Sequence, residues 1–297
     1  MSREISTVVT GMSYLECPRW HDQRIWFSDF YTGRVLSAAE DGSDLRTEAE
    51  VPQQPSGLGW LPDGRLLIVS MRDGRILRRE ADGTLVTHAD VSGYIGGHLN
   101  DMVVDAQGRA FAGEFGFDLM GGGDLQPGVL VRVDPDGTAT RVADDLLFPN
   151  GSVITENGTL LVDETFGNRV SAFDITADGS LTNRRTWATF ADPPTERGQQ
   201  KMLGQIAVAP DGCCYDADGA MWIADGLNGR VIRVRQGGEI AEEISVGSGA
   251  FACMLGGADG RTLYICSAPD FFEEARKNAR EATLVAARVD TPHAGLP

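Results

Sequence analysis

The sequence predicts an all-β fold, a six-bladed β-propeller, and three observations lead to it. A unit of short apolar runs and tight turns recurs six times, polar residues recur at one position of that unit, and helix signals are confined to one segment. The apolar runs alternate with Asp-Gly, Asn-Gly and Gly-Arg turns, which is typical of consecutive antiparallel strands joined by hairpins. Repeated units of about 40 to 60 residues, with four short strands each, indicate propeller blades.

The six units follow one another along the chain. They begin at "ECPRWHDQRIWFSDF" (16–30), "SGLGWLPDGRLLIVS" (56–70), "NDMVVDAQGRAFAGE" (100–114), "NGSVITENGTLLVDE" (150–164), "DGCCYDADGAMWIAD" (211–225) and "FACMLGGADGRTLYICSA" (251–268). A β-sandwich is the alternative fold, but a sandwich has no reason to repeat one turn pattern six times. We expect residues 1–297 to form one domain, with the N-terminal residues pairing with the last blade to close the ring. The one expected helical segment is "FFEEARKNAREA" (271–282).

Composition excludes several classes of partner. The chain has 297 residues and a net charge of −17, and so acidic a surface repels nucleic-acid phosphates and anionic lipid. No apolar run reaches the roughly 20 residues of a membrane helix, and the N-terminus lacks the pattern of a signal peptide. The five cysteines form no CxxC pair and are expected to be reduced core residues of a cytoplasmic protein. We therefore expect a small-molecule ligand, while the oligomeric state stays open.

Polar residues occupy the start of the first strand in five of the six units. In a propeller this strand lines the central channel, so equivalent positions converge at one end of the axis. Elsewhere the repeated core positions are Leu, Val, Ile or Trp, which makes the polar position stand out. The aligned residues are Glu16, Ser56, Asn100, Asn150, Asp211 and Phe251.

Two carboxylates and two carboxamides that face one point suit a hard divalent cation. A cation would also offset the cost of burying Glu16, which lies among apolar residues. For any single Asn or Asp here, a turn or a hydrogen bond to channel water is the simpler interpretation. Because the polar residues recur in register, the set as a whole favours a metal site in the central channel.

The segments "LECPRWHDQRIWFSD", "HLNDMVVDAQGRAFAGE", "FPNGSVITENGTLLVDETFGNRVSAFD" and "PDGCCYDADGAMWIADGLNGRVIRV" resemble the SMP-30/gluconolactonase/luciferin-regenerating-enzyme family. The resemblance implies a six-bladed propeller with one metal ion, held by Glu16, Asn150 and Asp211. It implies that Asn100 contacts substrate, or the metal through water, and that the substrate is a lactone. Ca²⁺ is the first expectation for the ion, with Zn²⁺, Mn²⁺ and Mg²⁺ as alternatives.

Two departures from the family pattern affect the expected substrate. Many members carry an Arg two residues before the Asn, where this chain has His98, and the nearest acidic residue for sugar hydroxyls is Asp118. Phe115, Phe117 and Met120 lie close by and predict an apolar rim, which favours an apolar or aromatic lactone over a sugar-acid lactone. The segment 192–210 is longer than a hairpin needs and is expected to act as a lid or specificity loop.

These features predict a metal-dependent lactonase, in which the ion polarises the ester carbonyl and water attacks it. Asp211 is the candidate catalytic base, and His98, Asn100 and Asp118 are the candidate substrate-binding residues. One alternative is a calcium-dependent phosphotriesterase or paraoxonase-like esterase that uses the same site. Another is a non-catalytic binding propeller stabilised by its metal.

Overall fold

Six antiparallel sheets form the fold of the computed structural model, which describes residues 3–297. The innermost strands of the sheets contact one another in sequence and close into a ring. The predicted six-bladed β-propeller is therefore confirmed. That residues 1–297 constitute one domain stays a prediction.

The chain opens with a strand of the last blade and then builds blades 1 to 3. The strands of this part are β1 (Ile5–Met12), β2 (Leu15–His21), β3 (Arg24–Asp29), β4 (Arg34–Ala38), β5 (Arg46–Glu50), β6 (Pro55–Trp60), β7 (Leu66–Ser70), β8 (Arg75–Arg79), β9 (Leu85–Asp90), β10 (Leu99–Val104), β11 (Ala110–Glu114), β12 (Gly128–Val133) and β13 (Ala139–Leu146). A single 3₁₀ turn, Phe30–Thr32, follows β3.

Blades 4 to 6 contain the remaining strands and two short helices. These elements are β14 (Pro149–Ile154), β15 (Thr159–Glu164), β16 (Arg169–Ile175), β17 (Leu181–Thr189), α1 (Gln199–Leu203), β18 (Pro210–Asp216), β19 (Met221–Asp225), β20 (Arg230–Val234), β21 (Ile240–Ser245), β22 (Gly249–Gly256), β23 (Thr262–Ala268), α2 (Glu273–Arg276), β24 (Ala282–Arg288) and β25 (His293–Ala294). The expected helical segment is thus a single turn, α2, and α1 is a second helix that the sequence patterns did not predict. No helix among residues 3–297 is long and apolar enough to cross a bilayer.

The two ends of the chain fasten the ring. Strand β1 pairs with β24 in the last blade, with Ile5 opposite Ala287, which confirms the expected closure. Strand β25 pairs with the end of β18, and Leu296 exchanges backbone hydrogen bonds with Ile154 of the neighbouring blade. The C-terminal residues therefore join blades 4 and 5.

A β-bulge interrupts the first strand of every blade at the aligned position or directly after it. The register shifts lie between Glu16 and Arg19, Pro55 and Leu58, Leu99 and Met102, Pro149 and Ser152, Pro210 and Cys213, and Ala250 and Ala252. A bulge inserts an unpaired residue and redirects its side chain. The repeated bulge therefore explains why this position can leave the hydrophobic pattern, as it does in five of the six blades.

Four blades end their second strand with an acid that holds the loop leading into the first strand. Asp29 accepts hydrogen bonds from the backbone N–H groups of Ser13 (3.0 Å) and Tyr14 (3.2 Å). The equivalent pairs are Gly97 with Glu114 (2.8 Å), Leu147 with Glu164 (2.8 Å) and Ala209 with Asp225 (3.1 Å). These carboxylates position the segments from which the channel residues project.

Candidate functional site

A cleft of about 880 Å³, its open mouth included, lies at one end of the propeller axis. Its floor comes from the starts of the first strands and its walls from the loops after the second strands. The predicted residues Glu16, His98, Asn100, Asn150, Asp211 and Phe251 all line it. The sixth aligned residue, Ser56, lies behind Asn100, with 3.4 Å between its Oγ and Asn100 Oδ1. The structure thus brings the predicted metal ligands together.

Glu16 is a buried carboxylate, 7% exposed. Its Oε1 accepts a hydrogen bond from the Tyr14 hydroxyl (3.1 Å), and its Oε2 one from the Cys17 backbone N–H (3.4 Å). Burial raises the pKa of Glu16 well above its usual value, and the charges of Asp211 and Asp101 raise it further. Neither hydrogen bond brings a positive charge, so the ionised form of Glu16 lacks compensation.

Asp211, in blade 5, is a second buried carboxylate of the cleft floor. Burial and the nearby charge of Asp101 raise its pKa well above the usual value, and the neighbouring Asn150 amide offsets this in part. Two carboxylates that disfavour each other's ionisation in a shared cleft are the arrangement that a cation would relieve.

Asn150 is held in one orientation by a relay that the sequence did not reveal. Its Nδ2 donates to Thr165 Oγ1 (3.0 Å), and the Thr165 hydroxyl donates to the carbonyl of Pro210 (2.8 Å), the residue before Asp211. Because the amide nitrogen is engaged, Oδ1 is the amide atom of Asn150 that is left to serve as a ligand. Thr165 comes directly after a second strand, a position that lines the cleft in five of the six blades, and that position is the signal that would have identified it.

In Asn100, unlike Asn150, the amide oxygen is engaged and the amide nitrogen is free. Its Oδ1 accepts the Ser56 hydroxyl, and within residues 3–297 its Nδ2 has no partner, so this group is free to donate to a ligand. His98 is two residues earlier and also lines the cleft. Burial and then the positive charge of Arg72 lower the pKa of His98, so its ring is neutral at pH 7. Both side chains suit contacts with a substrate more than with a metal.

Only some of the rim residues that the sequence predicted line the cleft. Phe115 and Met120 line the cleft, whereas Phe117 is buried behind it, 6.1 Å from Phe166 between ring centroids. Asp118 is exposed and does not line the cleft, and its Oδ1 accepts the backbone N–H of Gly121 in its own turn (2.8 Å). The role of Asp118 in substrate binding stays a prediction.

Two loops contribute cleft residues from opposite sides of the mouth. In the segment 192–210, α1 supplies Gln199 and Leu203. In blade 6, Glu273 at the start of α2 binds Arg72 of blade 2, with 2.6 Å between Oε2 and Nη2. This ion pair joins two blades across the mouth, and neither residue was singled out by the sequence patterns.

Arg19 and Asp101 form a fully buried ion pair beneath the cleft, with 2.6 Å between Nη2 and Oδ1. The side chains are each 3% exposed. Arg19 also donates to the carbonyls of Pro18 (2.9 Å), Leu58 (3.2 Å) and Met102 (3.0 Å). The pair therefore links blades 1, 2 and 3. The positive charge of Arg19 compensates the buried carboxylate of Asp101, so that charge is not available to Glu16 or Asp211.

A further buried acid, Asp163, has no hydrogen-bond partner at normal distance for either carboxylate oxygen within residues 3–297. Burial raises its pKa well above the usual value; the neighbouring Cys213 thiol offsets this in part, and the charges of Asp211 and Asp101 add to it. The folded protein therefore holds a proton on Asp163 at a pH where the unfolded chain has lost it.

We expect Asp163 to make the metal-free protein less stable as pH rises. The unfolded carboxyl ionises near pH 4, while the folded one must stay protonated or be buried as a charge, so stability falls from pH 4 toward the folded pKa. Relative to Asp163→Asn, the wild-type free energy of unfolding should fall by up to about 1.4 kcal/mol per pH unit in this window. Urea unfolding at several pH values measures this, with the exposed Asp22→Asn as control, and a difference that does not change with pH would contradict the expectation.

The oxygen donors of the cleft are of the type that a hard cation prefers. Within residues 3–297, no group of three or more His, Cys, Asp and Glu residues is arranged to hold a metal ion. The candidate ligands include only two such residues, Glu16 and Asp211, and the third is the amide oxygen of Asn150. All three are oxygen donors, as Ca²⁺ prefers, and the two carboxylates lack any other counter-charge. The five cysteines are buried and free, and none lines the cleft.

Comparison with known proteins gives concordant matches over nearly the whole chain. Residues 15–269 match the family model described as SMP-30/Gluconolactonase/LRE-like region. The chain is 28% identical over 307 residues to the 6-deoxy-6-sulfogluconolactonase of Pseudomonas putida, covering 100% of this chain and 99% of that protein. It resembles a luciferin-regenerating enzyme in structure (TM-score 0.80, 18% identity, 99% of each chain), and also a calcium-binding protein, regucalcin, of Agrobacterium tumefaciens (TM-score 0.79, 19% identity, 100% and 97%).

Proposed function

Because the chain belongs to the SMP-30/gluconolactonase/LRE-like family, as its motifs predicted, we propose that it is a metal-dependent hydrolase of a lactone or similar cyclic ester. The observation that carries this proposal is the convergence of Glu16, Asn150 and Asp211 on one cleft floor, beside the free amide of Asn100. The full-length similarity to a protein named as a lactonase supports the reaction class.

Glu16, Asn150 and Asp211 would hold the metal, with Ca²⁺ as the first candidate. The similarity to a calcium-binding protein supports that choice, and Zn²⁺, Mn²⁺ and Mg²⁺ are the alternatives. When bound, the cation polarises an ester carbonyl and makes a neighbouring water more acidic. Two buried carboxylates offer it a charge of −2, and the ion would in turn hold both of them in the ionised form.

The protein groups then have distinct parts in hydrolysis. Asp211 accepts a proton from water as the water oxygen bonds to the carbonyl carbon, and it gives that proton to the ring oxygen as the ring C–O bond breaks, which releases the hydroxy acid. Asn100 Nδ2 donates a hydrogen bond to the substrate, and the neutral His98, directly before the same strand, orients it. The Thr165 relay keeps Asn150 Oδ1 directed into the cleft, so the site is arranged before the substrate arrives.

The test is a hydrolysis screen of metal-stripped protein with each of the four metals restored. We expect activity on lactones to vanish on chelation and to return with one metal. The same metal should stabilise the fold by about 2.7 kcal/mol at 100 times its Kd, seen as a rise in melting temperature.

Aryl esters and a phosphotriester in the screen distinguish the related esterase function. Metal binding without hydrolysis of any substrate would favour a non-catalytic binding propeller. Full activity after chelation, together with no metal by elemental analysis and no change in melting temperature, would refute the metal-dependent mechanism.

A further inference from the structure

Two groups of aromatic side chains face each other across the polar floor. On one side, Phe148 packs against Phe115 (4.5 Å between ring centroids) and Phe166 (5.1 Å), and we call these three the blade 3–4 wall. On the other side, which we call the blade 1–6 wall, lie Tyr14, Phe30, Phe251 and Phe271. In that wall, Tyr14 is 5.2 Å from Phe30 and 5.0 Å from Phe251, and Phe251 is 6.4 Å from Phe271. All seven rings line the cleft.

The hydroxyl groups around these walls are directed at protein atoms. Tyr14 donates to Glu16, Tyr31 donates to the backbone carbonyl of Phe271 (2.5 Å), and Thr165 donates to the carbonyl of Pro210 (2.8 Å). A substrate that carries many hydroxyl groups would lose its hydration here and find few partners in exchange. Burying a polar group without a partner costs about 1 to 3 kcal/mol in proteins, so each such hydroxyl counts against binding.

An anionic substrate would find no free cationic side chain among the cleft residues that the structure describes. Arg72 is the sole Lys or Arg that lines the cleft within residues 3–297. Its Nε donates to Gln54 Oε1 (2.7 Å) and its Nη2 to Glu273 Oε2 (2.6 Å). Because Glu273 neutralises Arg72, and the charges of Glu16 and Asp211 would balance that of a bound divalent cation, the cleft offers no net positive charge and favours a neutral substrate.

Apolar side chains continue the walls outward to solvent. Leu227 is 44% exposed and Met120 is 39% exposed, and both line the cleft. Single exposed apolar residues are ordinary on a protein surface, but Leu227 and Met120 extend the apolar lining of the cleft. An apolar substituent that projects from the floor would therefore remain in contact with protein up to the mouth.

We propose that this site takes a neutral lactone that bears an aromatic or alkyl substituent, which lies between the two aromatic walls. The proposal rests on the proposed lactone hydrolysis and adds the substrate class. The lactone ring lies on the floor of Glu16, Asn100, Asn150 and Asp211, and the substituent excludes water from the walls. Covering apolar area is favourable by roughly 25 cal/mol per Å², which makes substituent size a determinant of specificity.

The test compares kcat/KM for dihydrocoumarin and γ-nonalactone with glucono-δ-lactone and γ-butyrolactone, at one pH and with one metal. We expect each apolar lactone to exceed glucono-δ-lactone by at least about tenfold, which a few buried methylene groups supply. A smaller preference, or a preference for glucono-δ-lactone, would overturn the substrate class while leaving lactone hydrolysis in place.

A binding measurement keeps the two proposals separable. The lactam of dihydrocoumarin and gluconolactam cannot be turned over in the same way, and calorimetry gives their Kd values whether or not hydrolysis is seen. Tighter binding of the aromatic lactam by about tenfold supports the substrate class, and equal or reversed affinities overturn it. Failure of every lactone to react would count against the proposed function alone.

A pair of variants locates the effect in the cleft. Leu227→Gln should lower kcat/KM for γ-nonalactone at least about threefold more than for γ-butyrolactone, because only the longer substrate reaches the mouth. Leu45 is equally exposed, at 44%, and does not line the cleft, so Leu45→Gln should leave both values unchanged. Equal effects of Leu227→Gln on the two substrates would show that the alkyl substituent does not contact the apolar mouth of the cleft, and would refute the proposed position of the substituent.

Discussion

Asp211→Asn is expected to lower kcat about a thousandfold at saturating metal, with the fold intact. An amide oxygen can still serve as a ligand, but it cannot accept the proton of the attacking water, and general-base catalysis contributes about 10²- to 10⁴-fold. Removing one of two opposed buried carboxylates should also raise the melting temperature of the metal-free protein, since burial and Asp101 disfavour the charged form of Asp211. Loss of activity combined with a gain of stability is the signature that distinguishes a functional residue from a structural one.

Two further variants sharpen this prediction. Asp211→Ala removes the ligand atom as well, so its melting temperature should respond weakly to metal, whereas Asp211→Asn should keep part of the response. The exposed acid Asp63 lies outside the cleft, and Asp63→Asn should leave kcat unchanged. If Asp211→Asn retains a tenth of the wild-type kcat or more, Asp211 is not the base and water is activated by the metal alone.

Arg19→Met should destabilise the protein by about 3 to 5 kcal/mol. Asp101 would then be a buried carboxylate without its cation, and removing one partner of a buried pair costs about that much. The carbonyls of Leu58 and Met102 would lose donors as well. Urea unfolding at pH 7 measures the change in the free energy of unfolding.

A double variant separates the charge from the packing. In Arg19→Met/Asp101→Asn the buried charge is gone, while the amide oxygen can still accept the backbone N–H of Met102, as Asp101 Oδ1 does (2.7 Å). We expect the double variant to recover more than half of the lost stability. The partly exposed Arg65→Met serves as control, and a cost below about 1 kcal/mol for Arg19→Met would show that the pair is not needed.

Most of the correct predictions from the sequence came from the sixfold repeat. Turn residues and apolar runs recur at fixed spacing in every blade, so the fold, the closure by the N-terminal strand and the convergence of Glu16, Asn150 and Asp211 all follow from periodicity. The β-bulges that redirect these side chains have no signal of their own, apart from glycines such as Gly151 and Gly212, whose neighbours leave no room for a side chain. Cys17 takes the equivalent place in blade 1 with a φ of 50°.

Features that depend on contacts between blades could not be predicted in this way. The Arg72–Glu273 pair joins residues 201 positions apart, and its partners lie in loops outside the repeat. Helix α1 is five residues long, too short for a periodic pattern to register. The turn in which Asp118 accepts the backbone N–H of Gly121 was also not predicted, since such local hydrogen bonds depend on backbone geometry.

Closure of the ring by β1 also fixes the order of events during synthesis. Strand β1 cannot pair until β24 has been synthesised. Ala287, the partner of Ile5, is added on the order of tens of seconds after Ile5 at typical elongation rates. Throughout that interval the edge of β1 is unpaired, and Glu16 and Asp211 are not yet held in one cleft by a complete circle of blades. A nascent chain is therefore open to pairing with other strands until the last blade has left the ribosome, and the cleft floor is complete only in the final step.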